Sequence, residues 1–445
     1  MSARTRETAV VILAAGQGTR MKSDLAKVLH PLCGRPLLHH CLAAAEATAP
    51  SRLVVIVGRD AEQVQQAFAG RAKFAVQAEP LGTGHAVLQS EAALEGFSGD
   101  LLVLYGDTPV LRGETLRAMA EFKAETGADL VVLSAAVQVP GIIVRGPDGR
   151  LAKIIEAPDA TPDELAIEER NTGVYLIGKD LLWKSLAQVG DDNAQGEIYL
   201  TRIVEILLAE GRRIEVLRLE DDAEGIGVNS RADLAEAAAA LRVRKLNQLM
   251  LDGVTVIDPA TTYVDMDVEV GRDTVIEPGC MIQGKTRIGC GCHIKSHSVI
   301  EESVLGDDVT IGPSAHLRPD CVLGNGVRIG NFVEVKNSNL ADGVKADHLS
   351  YIGDADVGEG ASFGCGSITV NYNWSTKDRT TVEPGAVVGC NVNLVAPVKI
   401  GRNASIAAGS TITKEVPENA LAVARSQQRH IEGWSQKKRP KETLR

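Results

Sequence analysis

Leu13 to Met21 reads LAAGQGTRM, a glycine-rich turn directly after a short apolar run. Such a turn lets the backbone come close to the phosphates of a nucleotide. Arg20 and Lys27 follow and offer cations to phosphate oxygens. The third glycine of a dinucleotide-binding fingerprint is replaced by Met21, and the GK[ST] of a Walker loop is missing, so neither motif is present. A solvated surface is the other role open to Arg20 and Lys27.

The elements that must position this turn alternate along residues 8 to about 228. Ala9–Leu13, Leu53–Val57, Leu101–Leu104 and Leu130–Leu133 read as buried strands, with Pro36–Thr48 and Gly84–Leu94 as helices between them. The alternation predicts a mostly parallel sheet with helices on both faces. Ligands of such sheets lie beyond the carboxyl ends of the strands, where both the Leu13 turn and the Gly106–Asp107 turn fall. The apolar run Ala9–Ala15 follows Arg4 and Arg6, yet it is short and ends in the glycine turn. It reads as the first strand and not as a leader.

Residues 230–251, rich in alanine and leucine and free of Gly and Pro, predict one helix ended by Gly253. Beyond it the period changes to six. Val264, Val270, Ile276, Ile282, Ile288, Ile294 and Ile300 form one run, Leu305, Ile311, Leu317, Leu323, Ile329 and Val335 a second, and Val382, Val388, Leu394, Ile400, Ile406 and Ile412 a third. This is a hexapeptide repeat, predicting a left-handed β-helix with the aliphatic residue inward and glycine or a small polar residue at the corner. Tyr372–Thr380 breaks the rhythm and predicts an excursion from the prism. The expected layout is an α/β nucleotide-binding domain over 1–228, a linker helix over 229–252 and the all-β helix with its tail over 253–445.

Composition narrows the partners. The 445 residues carry a net charge of −11, which excludes nucleic acid as the main partner. Hydrophobic residues make up 44% and aromatics only 3%, so the cores must be aliphatic. The basic run Lys437, Lys438, Arg439 and Lys441 reads as a solvated tail, or as an attraction for a phosphorylated ligand. No apolar stretch reaches the length needed to span a membrane. Eight cysteines without a CxxC pair predict free thiols in the reducing cytoplasm. A zinc set of Cys290, Cys292, His293 and His297 is the alternative to packing, although the six-residue rhythm runs through all four.

LAAGQGTRM…DLAKVLH resembles the nucleotide-sugar pyrophosphorylase signature. QAEPLGTGHA, YGDTPV, IIEAPDA, RNTGVYL, NAQGEIYL and GVNSR follow in order. Together they resemble the bifunctional bacterial enzymes that join N-acetylglucosamine-1-phosphate uridylyltransferase to glucosamine-1-phosphate N-acetyltransferase. The resemblance spans nearly the whole chain and implies UTP, acetyl-CoA and the two sugar phosphates as substrates, with Mg²⁺ as cofactor. It implies that Leu13, Ala14, Ala15 and Gly16 shape the uracil and ribose pocket, that Gln77, Gly82 and Thr83 read the base, and that Arg20 and Lys27 neutralise UTP phosphates. Asp107 and Asn229 would hold Mg²⁺, which oxygen donors of this kind suit. Gly141, Glu156 and Asn171 would grip the sugar. Turn or cap roles are the alternatives for Asp107, Asn229 and Asn171, and a plain surface carboxylate for Glu156.

Asn331 to Gly358 resembles the acetyltransferase site of the same family, and His348 is then the expected general base, since imidazole takes a proton near neutral pH. The resemblance places Arg318 and Lys336 on the sugar phosphate, with Lys345 a third cation on nearby coils. Tyr351, Asn371, Tyr372 and Lys377 would orient the sugar. Cys365, Asn371, Tyr372, Cys390, Ala408 and Arg425 align with acetyl-CoA contacts. The chain departs from the family at Ala26 (usually Pro), at Val139-Pro140-Gly141-Ile142 (usually GYGR), at Arg202 (often an acid), at Cys365 (usually Ala) and at Cys390 (usually Ser). Ala26 predicts a looser Lys27. A homotrimer with acetyl sites between subunits follows from the flat prism faces. The alternatives are a pyrophosphorylase with a purely structural β-helix and a regulatory protein that binds nucleotide sugars.

Overall fold

The computed structural model describes residues 7–193 and 195–438, in two compact units, Met1–Arg244 and Lys245–Arg445. Arg439 and Lys441 of the basic run lie outside the described residues.

The first unit is built on strand Thr8–Ala14, buried from Ala9 to Leu13. Arg52–Val57 and Asp100–Tyr105 pair with it in parallel, one on each side, so that Leu13 faces Ile56 and Tyr105. The carboxyl ends of three strands therefore arrive at one edge. The sheet continues outward through Lys73–Val76 on one flank, and through the antiparallel Arg170–Gly178 and then Leu130–Ala135 and Ile214–Arg218 on the other. A hairpin of Gly141–Arg145 and Leu151–Glu156 is attached to Arg170–Gly178. Strands buried on both faces read as unbroken Val, Ile and Leu runs, which is why they stand out in the sequence. The helix read as Pro36–Thr48 spans Leu37–Glu46. The stretch Gly84–Leu94 resolves into the helix Thr83–Leu88 and a short turn at Ala92–Leu94.

Helix Arg231–Leu251 follows, with Gly253 just past its end at a left-handed φ of 94°. From Thr255 the chain winds as a left-handed β-helix of three parallel sheets with 10, 9 and 8 strands. Each strand pairs with one a full coil away, as Tyr263 with Met281 and Met281 with Val299. The inward residues stack in columns. One runs Ile276, Ile294, Ile311, Ile329, Ala346, Phe363, Val388 and Ile406. In it the small Ala346 makes room beside the bulky Phe363, so the column stays filled.

Corners hold more than small polar residues. Phe332 and Leu349 both sit at corners with φ of 57° and 41°, and both are exposed. The excursion departs after Asn371 and closes on itself: Tyr372 bridges Lys377, and the Asn373 amide donates to Thr376 Oγ1 at 2.8 Å and to Asp378 at 3.0 Å.

Ile329 is fully buried in the central column. Ile329→Ala is expected to lower the unfolding free energy of the prism by about 2–4 kcal/mol. Denaturant titration would show it as a lower midpoint with an unchanged slope.

Candidate active sites

A cavity of about 410 Å³ opens at the sheet edge of the first unit. Leu13, Ala14, Ala15, Gly16, Lys27, Gln77, Gly82, Thr83 and Asp107 all line it. The Lys27 ammonium is ion-paired with Asp107 and donates to Asn229 Oδ1 at 3.2 Å, so Asn229 adjoins the cavity through Lys27. Gly18 lets the turn wrap this lysine. Its φ is 62°, and a Cβ there would stand 2.8 Å from Lys27 Cβ. Ala26 is buried with a φ of −50°, within the range open to a proline. The Lys27 ammonium is pinned by its two oxygen partners, contrary to the looseness read from Ala26.

Gln77 holds the far wall: its amide donates to Gly82 O at 3.0 Å and meets His85 Nδ1 at 3.1 Å. Gly82 has a φ of 104°, and a Cβ there would lie 2.7 Å from Ile198 O. Thr83 Oγ1 accepts from the Leu200 amide at 3.0 Å. Tyr105 completes the wall. Burial pushes its phenol pKa up, the charges of Glu156 and Asp107 add to this, and a hydrogen bond with Thr83 opposes it. Its ring lies so close to Gly173 that a Cβ there would meet it at 1.7 Å.

Asp107 is fixed from behind. Val228 N donates to Asp107 O at 2.8 Å, which fastens the turn after Asp100–Tyr105 to the segment carrying Asn229. Three residues before Gly227, the fully buried Glu224 accepts from Arg112 N (2.9 Å), Arg112 Nε (2.7 Å) and Thr115 Oγ1 (2.6 Å), tying the same two segments again. The cap of helix Arg231–Leu251 is Ser230, whose Oγ accepts from Asp233 N at 3.3 Å while Asp233 Oδ2 accepts from Asn229 N and Ser230 N. The side-chain capping role considered for Asn229 thus falls to Ser230, and the Asn229 carboxamide is turned to Lys27.

Gly141, Glu156 and Asn171 form a second group on the hairpin side. Gly141 pairs with Glu156, and a Cβ on Gly141 would lie 3.0 Å from that of Asn171. Asn171 donates to Tyr175 Oη at 2.6 Å. Half-buried Glu156 accepts from Thr201 at 3.3 Å. Burial raises its pKa, the nearby Asp159 and Glu197 charges raise it further, and Thr201 opposes them. Arg20 does not line the cavity. It is exposed on the turn Thr19–Met21, since the left-handed Gly18 directs the chain outward there.

In the second unit, Lys377 of the excursion is brought to Arg318 and Lys336 on one sheet face. Arg318 donates to Glu334 Oε1 at 3.0 Å. Lys336 lies beside Lys377, whose hydrogen bond and charge hold the Lys336 pKa below the usual lysine range, with Arg318 adding to the effect and Asp354 opposing it. Buried Asp354 accepts from the amides of Asn337 and Asn371, and Asn371 also donates to Tyr351 Oη at 3.3 Å. Lys345 stands apart. It pairs with Arg328 and Ser362 in a different sheet, because the chain turns a corner between Lys345 and Tyr351.

His348 is exposed at the end of strand Lys345–His348, with Nδ1 3.1 Å from Asn331 Oδ1. With the amide oxygen accepting from Nδ1–H, Nε2 is left as the basic nitrogen. Cys365, Cys390 and Ala408 take the corresponding corner on later coils: Asn391 N donates to Cys365 O and Gly409 N to Cys390 O, both at 2.8 Å. Arg425 donates to Ala408 O at 2.8 Å. Tyr372 is exposed on the excursion, its hydroxyl donating to Trp374 O at 2.9 Å.

The comparisons agree with this architecture. Residues 10–205 match the MobA-like NTP transferase domain, residues 247–338 the GMPPB C-terminal domain, and residues 379–414 six repeats of the bacterial transferase hexapeptide. The chain is 48% identical to the bifunctional protein GlmU of an Exiguobacterium species, over 97% of this chain and all of that one. It is 45% identical to the Geobacter metallireducens protein of that name, over 97% and 99%, and 47% identical to a Geobacillus one, over 95% and 96%. The chain belongs to the bifunctional GlmU family. It is accordingly a transferase with two activities.

Within this member of the family, Asp107 Oδ2 and Asn229 Oδ1 converge on one cation, the Lys27 ammonium, and their hard oxygens suit Mg²⁺. Among the described residues no cluster of three or more His, Cys, Asp or Glu could hold a metal. That also removes the zinc set: Cys292 is buried inward, Cys290 is exposed, and His293 is paired with Glu277 at 2.7 Å. No helix among the described residues is long and apolar enough to cross a membrane.

Tyr105 and Glu197 also line the cavity and were not singled out from sequence, although both sit inside quoted motifs, YGDTPV and NAQGEIYL. The Glu224–Arg112 tie had no local signal, because its partners are 112 residues apart.

Two outcomes follow. Ala26→Pro is expected to raise stability by about 0.4–1 kcal/mol, because the native φ already fits the ring and only the unfolded chain loses freedom. A thermal melt tests it, and a lower midpoint would refute it. Glu156 has a folded pKa above its unfolded one, so its contribution to stability is full at acid pH and is lost as pH rises through the folded pKa. Glu156→Gln should therefore stabilise the first unit at pH 8 and lose that advantage on acidification, as melts across pH would record.

Proposed function

We propose that the chain makes UDP-N-acetylglucosamine in two steps. The β-helix acetylates glucosamine-1-phosphate from acetyl-CoA, and the first unit then transfers UMP from UTP to N-acetylglucosamine-1-phosphate. The observation that carries this reading is the convergence of the cationic groups. Lys27 stands between Asp107 and Asn229 in a nucleotide-sized cavity, and Lys336, Lys377 and Arg318 crowd together on the prism. Crowded ammonium groups favour an anion such as a sugar phosphate.

In the uridylyl site, Leu13 to Gly16 cradle uracil and ribose while Gln77, Gly82 and Thr83 read the base. Lys27 neutralises the UTP phosphates. Arg20 joins it by swinging in from its exposed turn. Asp107 and Asn229 would hold Mg²⁺, which supplies charge neutralisation to the phosphate chain when bound. Glu156, Asn171 and the backbone at Gly141 orient the sugar. Its phosphate oxygen attacks the α-phosphorus of UTP and pyrophosphate leaves, a transfer that rests on positioning and charge and uses no protein nucleophile.

In the acetyl site, Arg318 and Lys336 bind the sugar phosphate, with Tyr351, Asn371 and Lys377 orienting the ring. Acetyl-CoA runs along the column of Cys365, Cys390, Ala408 and Arg425, beside Asn371 and Tyr372. His348 Nε2 takes the proton as the amine attacks the thioester, and the CoA thiol departs. We place the uridylyltransferase at 1–228, the linker at 229–252 and the acetyltransferase at 253–445. The assembly is a cytoplasmic homotrimer in which Tyr372 reaches a neighbouring copy.

A split assay tests both halves. His348→Ala is expected to cut acetyl-dependent thiol release by about 10²–10⁴-fold while pyrophosphate release from UTP and N-acetylglucosamine-1-phosphate is kept. Asp107→Ala should do the reverse. Loss of both activities in either variant would sink the two-site reading.

A further inference from the structure

We propose that Cys365 and Cys390 form an accessible dithiol that captures a soft, thiophilic electrophile of the trivalent arsenic class, and that capture shuts the acetyl half. The inference rests on the assignment of their column to acetyl-CoA.

The register sets the pair. Ser362–Phe363 pairs with Val387–Val388, and two residues further on Asn391 N still donates to Cys365 O at 2.8 Å. Cys365 and Cys390 therefore occupy the same corner of adjacent coils, about 4.8 Å apart, the spacing of paired strands. Both are free thiols, Cys390 exposed and Cys365 half-buried. Of the other six cysteines, four are buried, Cys33 is half-buried in the first unit and Cys290 is exposed next to the buried Cys292. Among the described residues this makes Cys365 and Cys390 the one pair of neighbouring thiols reachable from solvent.

Parallel side chains on neighbouring strands keep their Cβ atoms near the strand spacing. A disulfide needs them at about 3.5–4.5 Å. One bridging atom between the sulfurs relieves that mismatch, and soft thiolates select soft acceptors. With an aryl arsenoxide, two S–As bonds form and the arsenic–oxygen bond breaks. The two thiol protons leave with that oxygen as one water, and arsenic stays trivalent. The product sits one coil from His348, where it obstructs the acetyl-CoA column.

The test uses the full-length chain with phenylarsine oxide. Intact mass should show one phenylarsenic group bound. Thiol release from acetyl-CoA should be lost while pyrophosphate release continues, and a small dithiol should restore it where a monothiol does not. Cys365→Ala and Cys390→Ser should each take up no arsenic, with treated-to-untreated activity ratios near one, whereas Cys290→Ala should still be labelled. Uptake by both single variants, or none by the wild type, would overturn the dithiol. Uptake confined to this pair with acetyl transfer undiminished would support the dithiol and overturn the acetyl-CoA assignment of the column.

Discussion

Parallel pairing in fixed register is the constraint on which both units depend. In the first unit it brings Leu13, Ile56 and Tyr105 to one level, so the Leu13 turn and Asp107 leave the sheet together. In the second it repeats every coil and lays equivalent positions above one another. Arg318 and Lys336 are such neighbours, as Arg318 N donates to Val335 O at 2.8 Å. A one-residue slip would turn each strand's inward residues outward. The columns of chemistry outside the prism are thus held by the aliphatic columns inside it.

The electrostatics of the two sites share a logic. Each gathers cations, and on the prism like charge bears on them as well. Lys27 is almost covered and meets one carboxylate and one carboxamide. Lys336 is pushed toward losing its proton by Lys377 and Arg318, and Asp354 only partly offsets them. Arrangements of this kind favour an incoming anion, because the anion relieves repulsion already present. Glu156 is the counterpart on the acid side, a carboxylate kept where its charge is costly.

What could be read from the chain follows from how local each signal is. The glycine turn, the buried strands and the hexapeptide period are written within a few residues, and the fold came from them. Lys345 was grouped with Arg318 and Lys336 because all three are near in sequence, but a corner separates two faces within six residues. Arg20 follows the same turn as Lys27, yet the φ of Gly18 sends it to solvent. Asn229 and Ser230 are both good capping residues, and only the hydrogen bonds decide between them. The Glu224 tie needs partners that only the folded chain brings together.

The departures from the family pattern are explained by the backbone that receives them. Ala26 stands at a φ that suits proline, so losing the ring costs rigidity in the unfolded chain and leaves the native path of Lys27 intact. Pro140 and Ile142 stand where the family has a tyrosine and an arginine, and Val139 where it has a glycine, but the feature that Asn171 packs against is the missing Cβ at Gly141, and that is kept. Cys365 and Cys390 replace small residues at corners where the side chain points away from the core, so the prism tolerates them. Tolerance there is a property of the corner, and it is why new chemistry can enter this outer column without disturbing the coil beneath it.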